Sequence, residues 1–387
     1  MGKRFQAGTD EAFMEWACRL AARGRGRTRP NPMVGAVLVR NGKAFSTGYH
    51  KRPGAPHAEV AAIESAREDV AGATLYVNLE PCAHYGRTPP CVDLIIARKI
   101  RRVVVGTKDT NPLVNGRSLE TLRRKGVEVT CGVLEEKCRR LNETFFKSVE
   151  TDKPFVTLKA ALTLDGKIAS RSGRSRWISC PASREKVHRL RSQVDAVLVG
   201  LGTVLQDDPR LTVRGIRGGR NPCRVVMDSR LRIPMNARVL DPEAETLLAT
   251  TDRAPKRKIR ELERRGIRVE VFRPDRSGRV PVGRLLRRLA KAGNQHVLVE
   301  GGSGIFTAFL SAGEVDKLLL FVAPLLLGGK EAPGLFEGTG FAGPQEALRV
   351  HGLHGTRSDR DLLLEAYCAG RGKAPKRRTQ EAPGSRG

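Results

Sequence analysis

Glu80-Pro81-Cys82-Ala83-His84-Tyr85-Gly86-Arg87-Thr88-Pro89-Pro90-Cys91, read with His57-Ala58-Glu59 upstream, decides how the first part of this chain is organised. An imidazole and two thiols are three metal-ligand side chains, and Glu59 is a carboxylate left over. A structural zinc site closes with four protein ligands, whereas a catalytic one uses three and keeps a position for water. Bound zinc lowers the pKa of that water, and a nearby carboxylate shuttles its proton. A helix starting near His57 puts that residue and Glu59 in its first turn. Cys82 follows a strand, Thr74 to Leu79, and Pro81. Cys91 opens the next helix, whose positive end favours thiolate. Taken singly, each reads as a surface histidine or a small core thiol; the combined order is what points to a metal.

Outward from this stretch, residues 1–150 alternate strands and helices. Phe13, Trp16, Ala17 and Leu20 recur at helical spacing behind Asp10, the candidate cap. Val34 to Val39 is a buried-strand run, and Asn41-Gly42 is a hairpin turn. Cys91 to Lys99 and Ser118 to Lys125 read as helices, and Val103–Val105 and Val127–Val129 as strands. A sheet covered by helices, an α/β sandwich, follows. Thr151-Asp152-Lys153-Pro154 marks a boundary, after which a second α/β series occupies 151–369. Its strands are expected at Phe155–Leu158, Ala196–Val199, Arg224–Met227, Thr246–Leu248, Val269–Val271, Val297–Val299 and Leu318–Val322. Leu162 to Ala169 predicts a hairpin folded at Asp165-Gly166. Glu300-Gly301-Gly302-Ser303-Gly304 joins a strand to a helix, an arrangement that serves as a tight turn or lets a phosphate approach backbone N–H groups. Residues 370–387 form a basic tail of disordered composition.

Composition narrows the class. The chain has 387 residues, 40% hydrophobic and 29% charged, as soluble two-domain proteins do. No apolar run approaches the roughly 18 residues of a membrane span, and Met1-Gly2-Lys3-Arg4-Phe5 lacks a signal-peptide core. Eight scattered cysteines suit a reducing compartment, so a cytoplasmic protein without membrane attachment is expected. The formal charge of +29 attracts phosphate, on small metabolites or on nucleic acid.

His-x-Glu with a later Pro-Cys is the signature of zinc-dependent deaminases, in which the Glu is the general acid/base. There two residues separate the cysteines; here eight do, including His84 and Arg87, which suit a substrate's polar or phosphate groups. With Asn31-Pro32-Met33-Val34-Gly35, Asp109 and Asn111-Pro112, this longer loop closely resembles the bifunctional riboflavin-biosynthesis deaminase/reductase family, although Asn115 and Ser118 are atypical of it. Leu158-Lys159-Ala160-Ala161, Ser175-Arg176-Trp177-Ile178, Gly202-Thr203-Val204, Asp207-Asp208-Pro209, Asp228-Ser229 and Glu300-Gly301-Gly302 extend the resemblance over about residues 10–368.

The resemblance implies a cytidine-deaminase-like α/β/α sandwich followed by a dihydrofolate-reductase-like α/β domain. It implies one Zn2+ on His57, Cys82 and Cys91, with Glu59 catalytic. Asn31, His50, His84, Arg87, Asp109 and Asn111 would face the pyrimidine or its ribose phosphate. Ala161, Trp177, Thr203, Asp207, Ser229, Gly301, Gly302, Ser303 and Gly304 would line an NADPH site. Ser175, Arg191, Leu211, Arg214 and Glu300 would hold the second substrate. Lys159 and Asp165 are candidate aids to proton transfer. Read without the family, Asn31 and Asn111 are also turn residues, Trp177 is also core packing, and Arg191 a solvated helix face. The implied reactions are hydrolytic deamination of 2,5-diamino-6-ribosylamino-4(3H)-pyrimidinone 5′-phosphate and NADPH-dependent reduction of 5-amino-6-(5-phosphoribosylamino)uracil, in a protein expected to self-associate. Two alternatives remain: a nucleic-acid deaminase, and a nucleic-acid-binding protein whose zinc is structural, with His84 as fourth ligand.

Overall fold

The computed structural model describes residues 8–83, 89–111 and 114–368. Contacts divide the chain into two compact units, the first built mainly on residues up to Phe155 and the second mainly on those from Val156 onward.

The first unit contains α1 (Asp10–Ala21), β1 (Gly35–Arg40), β2 (Lys43–Tyr49), α2 (Ala58–Glu64), β3 (Thr74–Leu79), α3 (Cys91–Ala97), β4 (Arg102–Thr107), α4 (Arg117–Arg124), β5 (Glu128–Cys131), α5 (Glu135–Leu141) and α6 (Glu143–Thr151). The sheet order is β2-β1-β3-β4-β5. β1 runs antiparallel to β2 and β3, and β3, β4 and β5 are parallel. Because side chains alternate along a strand, Ala36, Leu38, Leu75, Val77, Val103 and Val105 pack with α2, α3 and α4. Val37, Val39, Tyr76 and Val104 pack with α1 and α5 on the other face. This is the expected α/β/α sandwich.

Asn41 and Gly42 both have positive φ (49° and 71°) between the paired residues Arg40 and Lys43, as a two-residue hairpin turn requires. Asp10 is not the cap of α1. Thr9 is, accepting from the N–H of Ala12, while Asp10 sits in the first turn. There its carboxylate takes the Tyr76 hydroxyl at 2.7 Å and the Arg102 guanidinium at 2.8 and 3.1 Å.

From β6 onward the chain carries β6 (Phe155–Thr163), α7 (Pro181–Arg191), β7 (Ala196–Gly200), α8 (Leu201–Asp207), β8 (Cys223–Met227), β9 (Thr246–Thr251), α9 (Lys256–Arg264), β10 (Arg268–Phe272), α10 (Val282–Lys291), β11 (His296–Val299), α11 (Ser303–Ser311), β12 (Lys317–Ala323), β13 (Val350–Ser358) and β14 (Asp361–Cys368), all in the second unit except Phe155 and Leu286–His296, which group with the first. The order of this sheet is β10-β9-β8-β7-β11-β6-β12-β14-β13. Strands β7 to β10 are parallel neighbours, and Val197, Val199, Val226 and Leu248 form a buried cluster with Leu201 and Val204 of α8 and Leu262 of α9.

The hairpin expected at Asp165-Gly166 is only a turn. β6 ends at Thr163, whose hydroxyl and N–H bond back to Lys167, and Lys167 forms an isolated bridge with Gly334 instead of starting a strand. The closing hairpin, β13 and β14, is an addition to the expected strands. β13 has the sequence Val-His-Gly-Leu-His-Gly-Thr-Arg-Ser, exposed almost throughout, and antiparallel pairing to β14 makes it a strand.

One contact in the first unit sets the position of α2. At Gly48 of β2, a Cβ would lie 2.3 Å from the Ala58 carbonyl oxygen and 2.4 Å from the Ala62 nitrogen. Only glycine lets the helix backbone rest on the strand. Gly48→Ala should therefore push α2 away, at a cost of about 1–3 kcal/mol of overpacking. A lowered denaturation midpoint of the first unit, with the second unit's midpoint unmoved, is the expected measurement.

Candidate functional site

His57 is the N-cap residue of α2, so its extended backbone aims the ring out of the helix start, and Glu59 follows in the first turn. Cys82 lies beyond the C-terminal end of β3, and Cys91 is the first residue of α3. The Nδ1 of His57 is 3.2 Å from the Cys91 sulfur and 3.5 Å from the Cys82 sulfur. All three ligand atoms lie within 4.8 Å of one another. Zinc bonds of about 2.3 Å to sulfur and 2.0 Å to nitrogen give tetrahedral edges of about 3.5 Å, so the donor set fits zinc. Among the described residues this is the one such group of three or more.

The electrostatics agree with a cation site. Hydrogen bonding to Cys82 raises the His57 pKa, and a hydrogen bond from Cys91, with His57 beside it, holds the Cys82 thiol far below its ordinary range. Cys91, bonded to Cys82 and buried, is pushed up. Glu59 is only 3% exposed. Burial, then the neighbouring Cys82, pushes its carboxyl up to about 7, where a proton can be both accepted and given back.

The other expected residues of this unit form the surrounding frame. His50 is buried; its Nδ1 is 3.1 Å from the Pro56 carbonyl, so that nitrogen carries the proton, and Nε2 accepts from Asn31 Nδ2 at 3.1 Å. Burial lowers the His50 pKa, which keeps this neutral tautomer. Asp109 accepts the Asn111 N–H at 2.8 Å, and its own N–H reaches Glu80 at 3.1 Å. Glu80 also accepts from Gly116 N–H and from the Ser118 hydroxyl, so the atypical Ser118 has a defined partner. His84 and Arg87 lie outside the described residues.

Three residues that the motif reading passed over hold this frame. Asn78 accepts the Gly35 N–H at 2.8 Å and donates to the Met33 carbonyl at 3.0 Å. Asn142 accepts the Met33 N–H at 2.8 Å and donates to the same carbonyl at 2.9 Å. Glu80 is the third. A signal existed for Asn78, a lone amide inside an apolar strand.

In the second unit a cleft of about 1990 Å3 takes in every residue expected to hold the cofactor or the substrate, and Lys159. That volume exceeds the roughly 300–1,000 Å3 of a single small-ligand pocket. Gly301 and Gly302 form a cradle. A Cβ at Gly301 would lie 2.7 Å from the Thr203 hydroxyl and 3.0 Å from Val199, and Gly302 has φ +71°. The start of α11 carries an anion of its own: the Ser303 hydroxyl donates to Glu337 at 2.8 Å. Ser175 donates to Asp207 at 3.2 Å, and Arg176 to the Asp207 carbonyl. Trp177 is 62% exposed, which excludes core packing, and the Arg184 guanidinium lies 4.4 Å from its ring centroid.

Arg191 is no solvated helix face either. Its guanidinium grips Glu300 in a fork at 2.6 and 2.8 Å, and its third nitrogen reaches the Thr212 carbonyl at 3.2 Å. Each of its three nitrogens thus has a partner within the protein, and of the two arginines expected to hold the substrate Arg214 is the one without an ion pair among the described residues. Burial would raise the Glu300 carboxyl, but Arg191 and Lys159 outweigh it and hold Glu300 at about 2. Burial lowers the Lys159 ammonium, whose Nζ is 4.0 Å from Glu300. His188 accepts the Arg214 N–H at 3.2 Å, and burial with Arg191 and Arg214 lowers it to about 4, so it is neutral near pH 7. Asp165 lies off the cleft: it takes the Thr163 hydroxyl and the N–H groups of Leu327 and Gly328, organising the turn after β6.

Glu300→Gln leaves Arg191 buried without its counter-charge, a loss of about 3–5 kcal/mol. Because the folded pKa of Glu300 is depressed from 4.5 to about 2, the pair's contribution is full above pH 4.5 and fades as pH falls towards 2. Denaturant titrations of the second unit across that range should show the wild-type contribution vanishing and the variant lacking it.

Comparison with known proteins agrees with this geometry. Residues 7–107 match the cytidine and deoxycytidylate deaminase zinc-binding region, and residues 154–364 match the RibD C-terminal domain. The riboflavin biosynthesis protein RibD of Aquifex aeolicus is 42% identical over 356 residues, covering 92% of this chain and 97% of that one. RibD of Escherichia coli is 40% identical over 338 residues, covering 84% and 90%. The Thermotoga maritima diaminohydroxyphosphoribosylaminopyrimidine deaminase/5-amino-6-(5-phosphoribosylamino)uracil reductase superposes with TM-score 0.81 at 41% identity, covering 93% and 99%. RibD of Acinetobacter baumannii gives 0.82 at 37% identity, covering 94% and 100%. A zinc-binding deaminase unit and a reductase unit, each matched by its own family and together matched end to end, make this chain a member of the RibD family of bifunctional riboflavin-biosynthesis enzymes.

Proposed function

We infer that the chain catalyses two successive steps on one intermediate. The first is hydrolytic deamination of 2,5-diamino-6-ribosylamino-4(3H)-pyrimidinone 5′-phosphate. The second is NADPH-dependent reduction of the ribosyl group of 5-amino-6-(5-phosphoribosylamino)uracil to ribityl. The observation that carries this reading is the His57–Cys82–Cys91 donor set beside the buried, proton-accepting Glu59. Zinc held by those three ligands would supply a water activated at neutral pH. Glu59 is placed to accept a proton as water adds to the amino-bearing ring carbon, to deliver it to the neighbouring ring nitrogen, and then to carry the proton of the new hydroxyl to the amino group, so that ammonia leaves as the carbonyl forms. His50 holds the Asn31 amide nitrogen, which leaves the Asn31 carbonyl oxygen to accept from the ring's amino group. Asp109 and Asn111 face the pyrimidine or its ribose phosphate, a role the family resemblance extends to His84 and Arg87.

In the second unit NADPH would supply the hydride. Ala161, Thr203, Asp207, Ser229 and the glycine turn line its site, with Trp177 at the rim. Glu300, kept ionised by Arg191, positions the ribose against the hydride, and Lys159 lies close enough to share the proton balance. Ser175, Leu211 and Arg214 hold the base and phosphate. No helix among the described residues is long and apolar enough to cross a membrane, and we place the reaction in the cytoplasm, in a self-associating enzyme that does not engage nucleic acid. Small phosphorylated substrates account for part of the positive charge.

Glu59→Gln should lower ammonia release by about 10²–10⁴-fold, with zinc content and NADPH oxidation on the deaminated substrate preserved. Retained deamination in the zinc-loaded variant would remove Glu59 from the mechanism. His57→Ala, Cys82→Ser and Cys91→Ser should each lose stoichiometric zinc by elemental analysis, while reduction of the deaminated substrate continues.

A further inference from the structure

One buried acid of the first unit stands next to the site and has no part in the scheme above. Glu80 follows β3 and precedes Pro81 and Cys82. β3 and β4 are parallel neighbours paired at Leu79 and Thr107, and the Glu80 N–H extends that ladder to the Thr107 carbonyl at 3.0 Å. Glu80 therefore sits where both strands end, two residues before a candidate metal ligand and beside the loop that bears Asp109 and Asn111.

The side chain answers only one of these neighbours. Glu80 is 4% exposed, and its Oε2 accepts the Asp109 N–H at 3.1 Å and the Gly116 N–H at 3.0 Å. Its Oε1 accepts the hydroxyl of Ser118, which is wholly buried. None of these donors belongs to the His57–Cys82–Cys91 set. The bonds continue outward along the loop: Asp109 Oδ1 accepts the Asn111 N–H at 2.8 Å, and the Asn111 carbonyl accepts from the N–H groups of Val114 and Asn115 at 2.8 and 3.0 Å.

Glu80 thus grips the loop at both ends, at Asp109 just beyond β4 and at Gly116, the residue that caps α4. One bond would suffice to close the loop. The two N–H bonds to one oxygen also set the direction in which Asp109 and Asn111 leave it, and the Ser118 hydroxyl fixes the carboxylate in turn. A buried N–H that loses its acceptor must move or stay unpaired, so the loop's shape depends on this one side chain. Resting on the deaminase reading, we propose that Glu80, oriented by Ser118, is a positioning residue for deamination, which sets Asp109 and Asn111 against the substrate and leaves the metal donors untouched. Ser118, atypical in sequence, is then the group that orients it. Glu59 and the metal carry the chemistry, whereas Asp109 and Asn111 hold the substrate before and throughout the reaction. A misplaced loop weakens both states alike, which raises KM and spares kcat.

Steady-state ammonia release by the zinc-loaded full chain on the diaminopyrimidine phosphate, with metal content measured on the same samples, tests this. Glu80→Ala should raise KM by about tenfold, with kcat within about threefold of the wild type and zinc stoichiometric. Ser118→Ala, which leaves one carboxylate oxygen without its donor, should raise KM by about fivefold. Glu80→Gln should return KM to within about twofold of the wild type, because its amide oxygen can keep both N–H donors and its amide nitrogen can donate to the Ser118 oxygen. A residue that only held the fold would lower the denaturation midpoint without this split between KM and kcat. An unmoved KM in Glu80→Ala, zinc lost from folded Glu80→Ala, or a Glu80→Gln variant as impaired as Glu80→Ala would overturn the positioning role and leave the deaminase reading intact. Where Glu80→Ala does not fold, Ser118→Ala decides, and an unmoved KM there overturns the role. A wild-type protein that releases no ammonia from this substrate would overturn both.

Discussion

The contact between α2 and β2 at Gly48 governs the deaminase unit, because it fixes where the helix begins. His57 and Glu59 take their positions from that start, one as its cap and the other in its first turn. Cys82 and Cys91 then arrive from the β3–α3 connection, tied by the bond from Cys91 N–H to the Cys82 sulfur at 3.3 Å. The three candidate donor side chains thus come from two neighbouring helix starts and the segment just beyond one strand end. Each helix start is set by packing against the sheet, so the ligand triangle is a product of the core and not of a flexible loop. Preorganisation of this kind is what a first shell requires.

Much of this was legible in the sequence. The apolar runs located every strand of the first sheet from β3 to β5, and the His-x-Glu and Pro-Cys motifs pointed to the three donor side chains that the structure brings together. What could not be read is where a side chain's physical role depends on a partner remote in sequence. Asp10 is a plausible cap by position, yet Tyr76 and Arg102 draw it elsewhere and Thr9 takes over. Arg191 carries no mark of its partnership with Glu300, 109 residues away. β13 lacks a hydrophobic pattern because exposed strands need none; pairing with β14 supplies its structure. Asp165-Gly166 had the local chemistry of a hairpin, but the following residues have no strand to pair with beside β6. Local signals located the elements, and tertiary contacts assigned the polar residues.

The second unit shows how a chain with a formal charge of +29 can bury ionic groups productively. Arg224 is fully buried on β8, and its donors are met by Thr246, by Asp241 at 2.7 Å and by backbone carbonyls. Arg191 is met by Glu300. Both are satisfied networks of the kind an interior tolerates. Arg214 and Arg230, which form no ion pair among the described residues, line the cleft instead. The general surplus of positive charge therefore matters less than the division between arginines answered inside the protein and those left for ligand.

Met33 offers a last consequence. Its carbonyl receives two amides, one from the sheet at Asn78 and one from the α5–α6 junction at Asn142, and neither belongs to the ligand set. The segment bearing Asn31 is thus moored to the sandwich by bonds indifferent to whether an ion is present. Stripping the metal would take away the chemistry yet spare the rim, so that an emptied protein stays shaped to receive its ion again.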